Sequence, residues 1–351
     1  MFPSLVSRTQ FGLHSPQAGL YLDARRAPGP VFVSHAHSDH CSSAKRIVCT
    51  TETAALHRRR RGPRETISLA YGQPLTVGSA TLELSPAGHT LGSAMAVIRS
   101  DAGTLVYTGD YKLRAGAFSH GVPVPRCDVL VMECTFGDPR FRFPPETEVL
   151  RQLYAFIDQC HAAAVVPVVL AYAFGKAQEA LFHLTTRGYR VLVHEPAAGL
   201  CNAHEELGYS FPGPGRWEPY TADHGAGDVL IMTPRARADL PRDGRRYRFV
   251  HLSGWACDRG TARRVRAHLA LPLSGHADFD ELVRTATESG ARKVYTVHGS
   301  PRFAAHLRRL GIDAEHLGQH PQLAISTPAK AALVTEPAAV SVGTQLSLAL
   351  G

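Results

Sequence analysis

The sequence predicts an α/β protein in which a second α/β unit is inserted into the first. Three observations carry this. Short apolar runs of strand length repeatedly end in a polar residue able to do chemistry. Between 138 and 260 the pattern changes to alternating strand and helix segments, which indicates βαβ units around a small parallel sheet. After 260 the strand-to-polar-loop pattern returns. The 351 residues are enough for one large or two moderate cores.

In order, residues 31–33 read as a short apolar strand running into Ser34-His35-Ala36-His37-Ser38-Asp39-His40. Residues 81–84 alternate and precede Gly88-His89. Residues 103–107 precede Thr108-Gly109-Asp110, and residues 129–132 precede Glu133. Strand-end loops are where a rigid sheet can hold reactive side chains in place. In the inserted unit, 165–170, 189–193, 229–232 and 246–252 read as strands. Residues 175–186 and 197–207 read as helices, and the proline- and glycine-dense stretch 211–227 as a loop. Residues 269–273 form a further strand, and Asp278 with Glu281 makes a capping box for a helix reaching Ser289. A strand at 294–297 leads to His298-Gly299, and 301–310 is a helix. The domains are thus 1–137 and 261–325 for the first unit and 138–260 for the insert. A flexible, nearly uncharged tail is expected over 326–351.

Hydrophobic residues at 44% and charged residues at 19% describe a soluble globular chain. No apolar run approaches the ~20 residues of a membrane span, and no secretory leader is visible at the N-terminus. The seven cysteines are dispersed and form no Cys-x-x-Cys pair. That argues against a disulfide framework and a cysteine metal site, and for a cytoplasmic protein. The net charge of +8 favours a polyanionic partner. Arginines cluster at Arg58, Arg59, Arg60 and Arg61, again over 242–248 and over 259–266; solvated helix faces are the plain alternative.

The histidine cluster is the strongest signal. His35 and His37 are two apart, so at an extended strand end both project to one side. Asp39 and His40 follow and can serve a neighbouring site. Neutral imidazole and carboxylate are zinc ligands. His89, Asp110 and His298 each follow an apolar strand and extend the set.

This ordered series resembles the metallo-β-lactamase superfamily, whose fold is an αββα sandwich, and the resemblance covers nearly the whole chain except the tail. It implies that His35, His37 and His89 hold one metal, that Asp39, His40 and His298 hold a second, and that Asp110 bridges them. Asp23 would orient the ligands. The cofactors implied are two Zn²⁺, with Mn²⁺ accepted by the same donors. Such a pair activates water and neutralises a phosphate oxygen.

Glu133-Cys134-Thr135-Phe136-Gly137, Ser274-Gly275-His276-Ala277-Asp278 and His298 resemble the extra motifs of the β-CASP branch, whose members cut nucleic acids. The insert lies where that branch carries its cap, and Ala173-Phe174-Gly175-Lys176-Ala177-Gln178-Glu179 resembles a stretch of that cap. The resemblance makes His276 the acid that protonates a leaving alkoxide, with Glu133 orienting it. Lys176, at the start of a helix, could hold a backbone phosphate; a solvated helix start is the alternative.

The likeness extends to a bacterial family of exonucleases associated with DNA ligase, which shares Gly109-Asp110-Tyr111-Lys112, Gly175-Lys176-Ala177-Gln178 and Ser253-Gly254-Trp255. That implies a DNA exonuclease acting on single strands in repair or replication. Gln345, Leu346, Leu348 and Leu350 form a hexapeptide like those that dock into the bacterial sliding clamp. An RNA-processing nuclease of the same fold, a small-molecule metallohydrolase and a non-catalytic clamp-binding scaffold are the alternatives.

Overall fold

A computed structural model describes residues 4–318. The first sheet contains β1 (Ser7–Thr9), β2 (Gly12–Ser15), β3 (Leu20–Leu22), β4 (Val31–Phe32), β5 (Arg46–Thr50) and β6 (Glu65–Leu69), in that order. The helix α1 (Thr51–Arg61) follows β5 and packs on β5 and β6. Its start is capped by Thr50, whose hydroxyl accepts from the Thr53 N–H at 3.1 Å.

The second sheet begins with an antiparallel meander, β7 (Leu75–Val77), β8 (Ala80–Pro86), β9 (Ala94–Ser100) and β10 (Gly103–Tyr107), and continues to β11 (Val129–Cys134). From β11 the chain leaves through α2 (Glu146–Ala162) into a third sheet. That sheet holds β12 (Val166–Leu170), β13 (Arg190–Val193), β14 (Arg216–Pro219), β15 (Asp228–Met232), β16 (Tyr247–Leu252) and β17 (Leu269–Leu271). Its strand order is β14-β13-β15-β12-β16-β17, and every pair is parallel. The helices α3 (Lys176–Arg187) and α4 (Ala197–Glu206) belong to this unit, and the short α5 (Thr261–Arg264) precedes β17. The chain then returns through α6 (Phe279–Glu288) to β18 (Lys293–Gly299), α7 (Pro301–Arg309) and β19 (Ala314–His316), which complete the second sheet in the order β19-β18-β11-β10-β9-β8-β7.

The first two sheets face each other. Leu20, Leu22, Phe32 and Val48 of the first bury against Leu82, Ala96, Leu105 and Val131 of the second. The other face of the second sheet is covered by Phe279 and Leu282 of α6 and Phe303 and Leu307 of α7. With α1 on the outside of the first sheet, the layers are αββα. The insert has its own core, in which α2, α3 and α4 cover one face of the third sheet. All residues of β12 and β15 are buried, as expected for parallel strands covered on both faces.

Strand direction explains where the chemistry collects. β8 and β10 are each antiparallel to β9, so they run the same way, and β10, β11 and β18 are mutually parallel. All four therefore end at one edge of the second sheet. His89 follows β8, Asp110 follows β10, Glu133 lies at the end of β11, and His298 lies at the end of β18. The insert leaves and re-enters at that same edge.

Some expectations shift. The strand expected at 269–273 in the returning first unit is β17, the edge of the inserted sheet, paired with β16. The insert's sheet thus runs past 260. The loop expected over 211–227 contains β14, an edge strand whose exposed positions and closing proline hide it from an apolar pattern. Among the described residues, no helix is long and apolar enough to cross a membrane. The expected tail and its residues Gln345, Leu346, Leu348 and Leu350 lie outside the described residues.

Candidate metal centre

Backbone geometry sets the donors up first. Gly109 has φ +54°, and a Cβ there would meet the Ser34 side chain at 2.5 Å, so the turn before Asp110 requires glycine. His298 itself has φ +52°, at the point where the pairing of β11 with β18 shifts register between Glu133 and Cys134. A histidine in left-handed backbone at a bulge is a strained placement that re-aims the side chain.

The donors then converge. Ligand atoms of His35, His37, His89 and Asp110 lie within 4.8 Å of one another, and so do those of His40, Asp110 and His298. The Asp110 Oδ2 is 3.6 Å from His35 Nε2, 3.8 Å from His89 Nε2 and 3.5 Å from His40 Nε2, between the two groups. Asp39 stands apart: its carboxylate is half-exposed and 3.9 Å from His40 Nε2, outside the converging set.

Each of four histidines has one ring nitrogen tied to protein and the other turned inward. His35 Nδ1 is 2.9 Å from Ser34 Oγ, and His40 Nδ1 is 2.7 Å from Asp23 Oδ2. His89 Nδ1 faces the carbonyl of Gly275 at 2.8 Å, and His37 Nε2 faces the carbonyl of Phe174 at 3.2 Å. Such bonds select the tautomer and ring orientation that a metal ligand needs. Asp23 anchors the arrangement, accepting from the Ser34 N–H, the Ser34 hydroxyl and the Tyr107 hydroxyl at 2.7, 2.6 and 2.9 Å.

The electrostatics fit metal binding. Burial holds His35 and His89 well below the ordinary imidazole range, takes His37 to about 4 and lowers His298. These rings are neutral at neutral pH, as ligands must be. Burial would depress His40 too, but the carboxylates of Asp110 and Asp23 outweigh it and raise it well above the usual value. Burial opposes the charged form of Asp110, yet His40 and His276 keep its carboxyl well below the usual range. An ionised Asp110 carboxylate beside the neutral rings of His35, His37, His89 and His298 suits a divalent cation, which would displace the proton that His40 holds.

Beside this cluster, His276 Nδ1 is 2.9 Å from Glu133 Oε1 and 3.0 Å from Oε2. Glu133 is fully buried, and its oxygens also accept from the Tyr111 N–H at 2.9 Å and the Thr135 hydroxyl at 2.5 Å. Burial alone would lower the His276 pKa, but Glu133 and Asp110 raise it in sum. The ring borders a cleft between the two units, together with Phe136, Tyr172, Phe174 and Trp255. Tyr172 and Trp255 are 58% and 43% exposed, large aromatic surface at a cleft mouth. The sequence reading does not single out these aromatics as site residues; their only signal was a place inside or beside quoted motifs.

Lys176 differs from expectation. It borders the cleft, but its ammonium is buried and ion-paired with Glu179 of the same helix. Glu179 also holds Lys112 at 2.8 Å, so this carboxylate ties two lysines. The Gly175 N–H at the helix start already donates to Gln178 Oε1 at 2.7 Å. The expected phosphate grip therefore starts from groups that are already partnered. Glu146, Glu179 and His183 also converge, but two ammonium groups sit among them, making this an ion-pair network.

Comparison with known proteins agrees with this architecture. Residues 262–321 match the family described as "Zn-dependent metallo-hydrolase RNA specificity domain". The chain is 36% identical over 317 residues to a protein of Opitutus terrae named "Probable DNA ligase", covering 89% of this chain and 31% of that one. The chain thus spans under a third of that relative's length. It is 31% identical over 137 residues to a ribonuclease of Thermus thermophilus, covering 37% of this chain and 31% of that protein. A crystal structure of a protein of unknown function from Enterococcus faecalis superposes with TM-score 0.54 at 16% identity, over 77% of this chain and 75% of that one, which supports the fold. On the αββα layers, the inserted unit and these likenesses together, the chain belongs to the metallo-β-lactamase-fold metallo-hydrolases, in their β-CASP nuclease branch.

Proposed function

We propose that this metallo-hydrolase is a two-zinc exonuclease that cleaves single-stranded DNA. The observation that carries the phosphodiesterase reading is the His276–Glu133 pair beside the convergent histidines, since an alkoxide leaving group needs a proton. His35, His37 and His89 would hold one metal and His40 and His298 the other, with Asp110 shared and Asp39 reaching in from the rim. Metals held there activate water and screen the charge of the phosphate. The chain does the rest. Asp23 and the Gly275 and Phe174 carbonyls fix the imidazoles, Glu133 keeps His276 charged and aimed, and His276 gives its proton to the departing oxygen. Manganese is a second metal that the same donors accept.

DNA is favoured because the matching segment in the Opitutus terrae protein belongs to a polypeptide named as a DNA ligase. Work beside a ligase, in the cytoplasm, on DNA under repair or replication follows from that reading, and Gln345 to Leu350 would tether the enzyme to the sliding clamp. Single strands are favoured because exposed Tyr172 and Trp255 offer stacking surfaces for unpaired bases. A second reading, an RNA-processing enzyme, is favoured by the description of the matched family and by the ribonuclease relative.

A time course on matched, end-labelled DNA and RNA oligonucleotides with zinc or manganese tests this. Ladder-wise shortening of single-stranded DNA is expected. Cleavage of RNA alone would overturn the choice of DNA, and cleavage of neither would overturn the nuclease reading.

A further inference from the structure

We infer that an arginine-lined groove beside the metal-binding loop holds the phosphate backbone of a single polynucleotide strand beyond the bond being cut. The inference rests on the nuclease reading above and extends it to a second site on the first unit.

The groove has two cavities that share one residue. One, of about 600 Å³, is lined by Arg25, Arg26, Arg61 and Arg64 over Ser42 and Ser43. Among the described residues, none of the side chains lining it is acidic. The other, of about 560 Å³, is lined by Arg59, Arg60 and Arg61, with Ser38 and Glu195. Arg61 belongs to both, and its Nη2 donates to the Ser38 carbonyl at 2.8 Å, directly beside the metal-ligand motif.

The second cavity and the cleft are lined by adjacent residues, Ala173 and Phe174. The Arg60 guanidinium lies 5.5 Å over the ring of Phe174. That ring borders the cleft and sits 4.9 Å from His37, edge to face. A chain of cationic groups therefore runs from the cleft wall, past Ser38, to the pocket floored by Ser42 and Ser43.

Two plain explanations account for part of this only. Basic residues in the last turn of a helix are favoured by the helix dipole, which covers Arg58, Arg59, Arg60 and Arg61 of α1. It does not cover Arg25, Arg26 or Arg64, which lie outside any helix yet line the same pocket. Pairing with acids covers Arg59, which is 3.5 Å from Glu206 and shares its cavity with Glu195. It does not extend to Arg64 in the first pocket. Among the described residues, Arg64 buries its Nε with no hydrogen-bond partner, while its Nη1 donates to the neighbouring Pro63 carbonyl. The guanidinium groups of Arg26, Arg61 and Arg64, gathered near Ser42 and Ser43, make a cationic pocket that suits an anion. Two joined cavities are longer than one phosphate, so the shape fits consecutive phosphates of a strand.

The test compares zinc-loaded full-length protein with a combined Arg25→Ala, Arg26→Ala, Arg64→Ala variant on oligonucleotides of about 4 and about 15 nucleotides, in DNA and RNA forms. For the longer substrates the KM should rise several-fold with kcat nearly constant. The slope of log kcat/KM against log salt should flatten by roughly 2, at about 0.7 per lost single-strand phosphate contact. The shortest substrates should not respond, and Arg→Lys at the same positions should restore most of the slope. Arg151→Ala, an exposed arginine of α2 paired with Glu148, controls for charge loss elsewhere. No change at any length, or equal change at both lengths, overturns the groove while leaving the nuclease reading intact. Tripolyphosphate inhibition abolished by the variant, with the longer substrates unaffected, would assign the pocket to a free anion and also overturn it. Wild-type protein that cleaves no oligonucleotide removes the nuclease reading and the groove together.

Discussion

Glu133 places both carboxylate oxygens within 3.0 Å of Nδ1 of His276, although the two residues lie 143 positions apart. Glu133 is the penultimate residue of β11 and His276 follows the inserted sheet, so the pair closes across the excursion of the chain. Glu133 has no route to solvent and its remaining capacity is taken by Tyr111 and Thr135. This carboxylate is built to serve the imidazole.

Replacing His276 with alanine should lower kcat on oligonucleotides by about 10² to 10⁴-fold, the usual worth of a positioned acid. Bound zinc, counted by elemental analysis, should be unchanged. On a p-nitrophenyl ester of a nucleotide, whose leaving group needs no proton, the loss should shrink to a few-fold. Equal losses on both substrates would remove the acid role.

The pH profile gives a separate reading of Glu133. His276 must carry its proton to act, so activity falls as pH rises through its pKa. Glu133 raises that pKa above the usual imidazole value. In Glu133→Gln the alkaline limb of kcat should therefore move to lower pH. A limb that stays in place would show that another group titrates there.

Asp23→Asn should weaken metal binding by about 10 to 100-fold in a chelator competition, the usual cost of losing a partner that orients a ligand. The substitution keeps a side chain tolerant of the φ of +47° at this position. It withdraws the negative charge from His40 Nδ1 and from the hydroxyls of Ser34 and Tyr107. Wild-type zinc affinity in this variant would leave Asp23 with a purely structural part.

Glu179→Gln should destabilise the protein by about 3–5 kcal/mol near pH 7, because two buried ammonium groups lose their shared partner. Despite burial, which opposes its charge, Lys112 and Lys176 hold this carboxyl far below the ordinary range. Its contribution is therefore present above the unfolded pKa of about 4.3 and fades as pH falls further. Urea midpoints of wild type and variant should differ most at neutral pH and converge in acid. A constant gap would contradict the ionic explanation.

Removal of residues 344–351 should abolish pull-down by a bacterial sliding clamp while cleavage of free oligonucleotides continues. Retained pull-down would mean that the glutamine-leucine pattern is incidental.

The parts of this site legible in the sequence were those that one strand end displays by itself. His35, His37 and His40 declare themselves through spacing, and His89, Asp110 and His298 through repetition of one local pattern. The local pattern gives an α/β chain with an inserted unit; the αββα frame came only as what the family resemblance implies. What the sequence hides depends on distant chain. The outward stance of Asp39 is a matter of side-chain direction, and the commitment of Lys176 to Glu179 depends on burial that one helix cannot reveal. The helix α2 does carry its signal, with buried Val149, Leu153, Phe156, Ile157 and Cys160 at helical spacing. The strand β17 was legible, but its place at the edge of the inserted sheet depends on pairing with β16, which no local pattern reveals.

The carbonyl of Phe174, in the inserted unit, holds His37 of the first unit, and Gly175 next to it approaches Thr90 so closely that a Cβ would lie 2.6 Å from the threonine methyl. Metal uptake and the seating of the insert are therefore two faces of one equilibrium. Whatever free energy the seated insert adds to ion affinity, bound ions must return as resistance of that seam to opening. Amide exchange at the start of α3 should accordingly slow when zinc is added, a readout of the centre that requires no substrate.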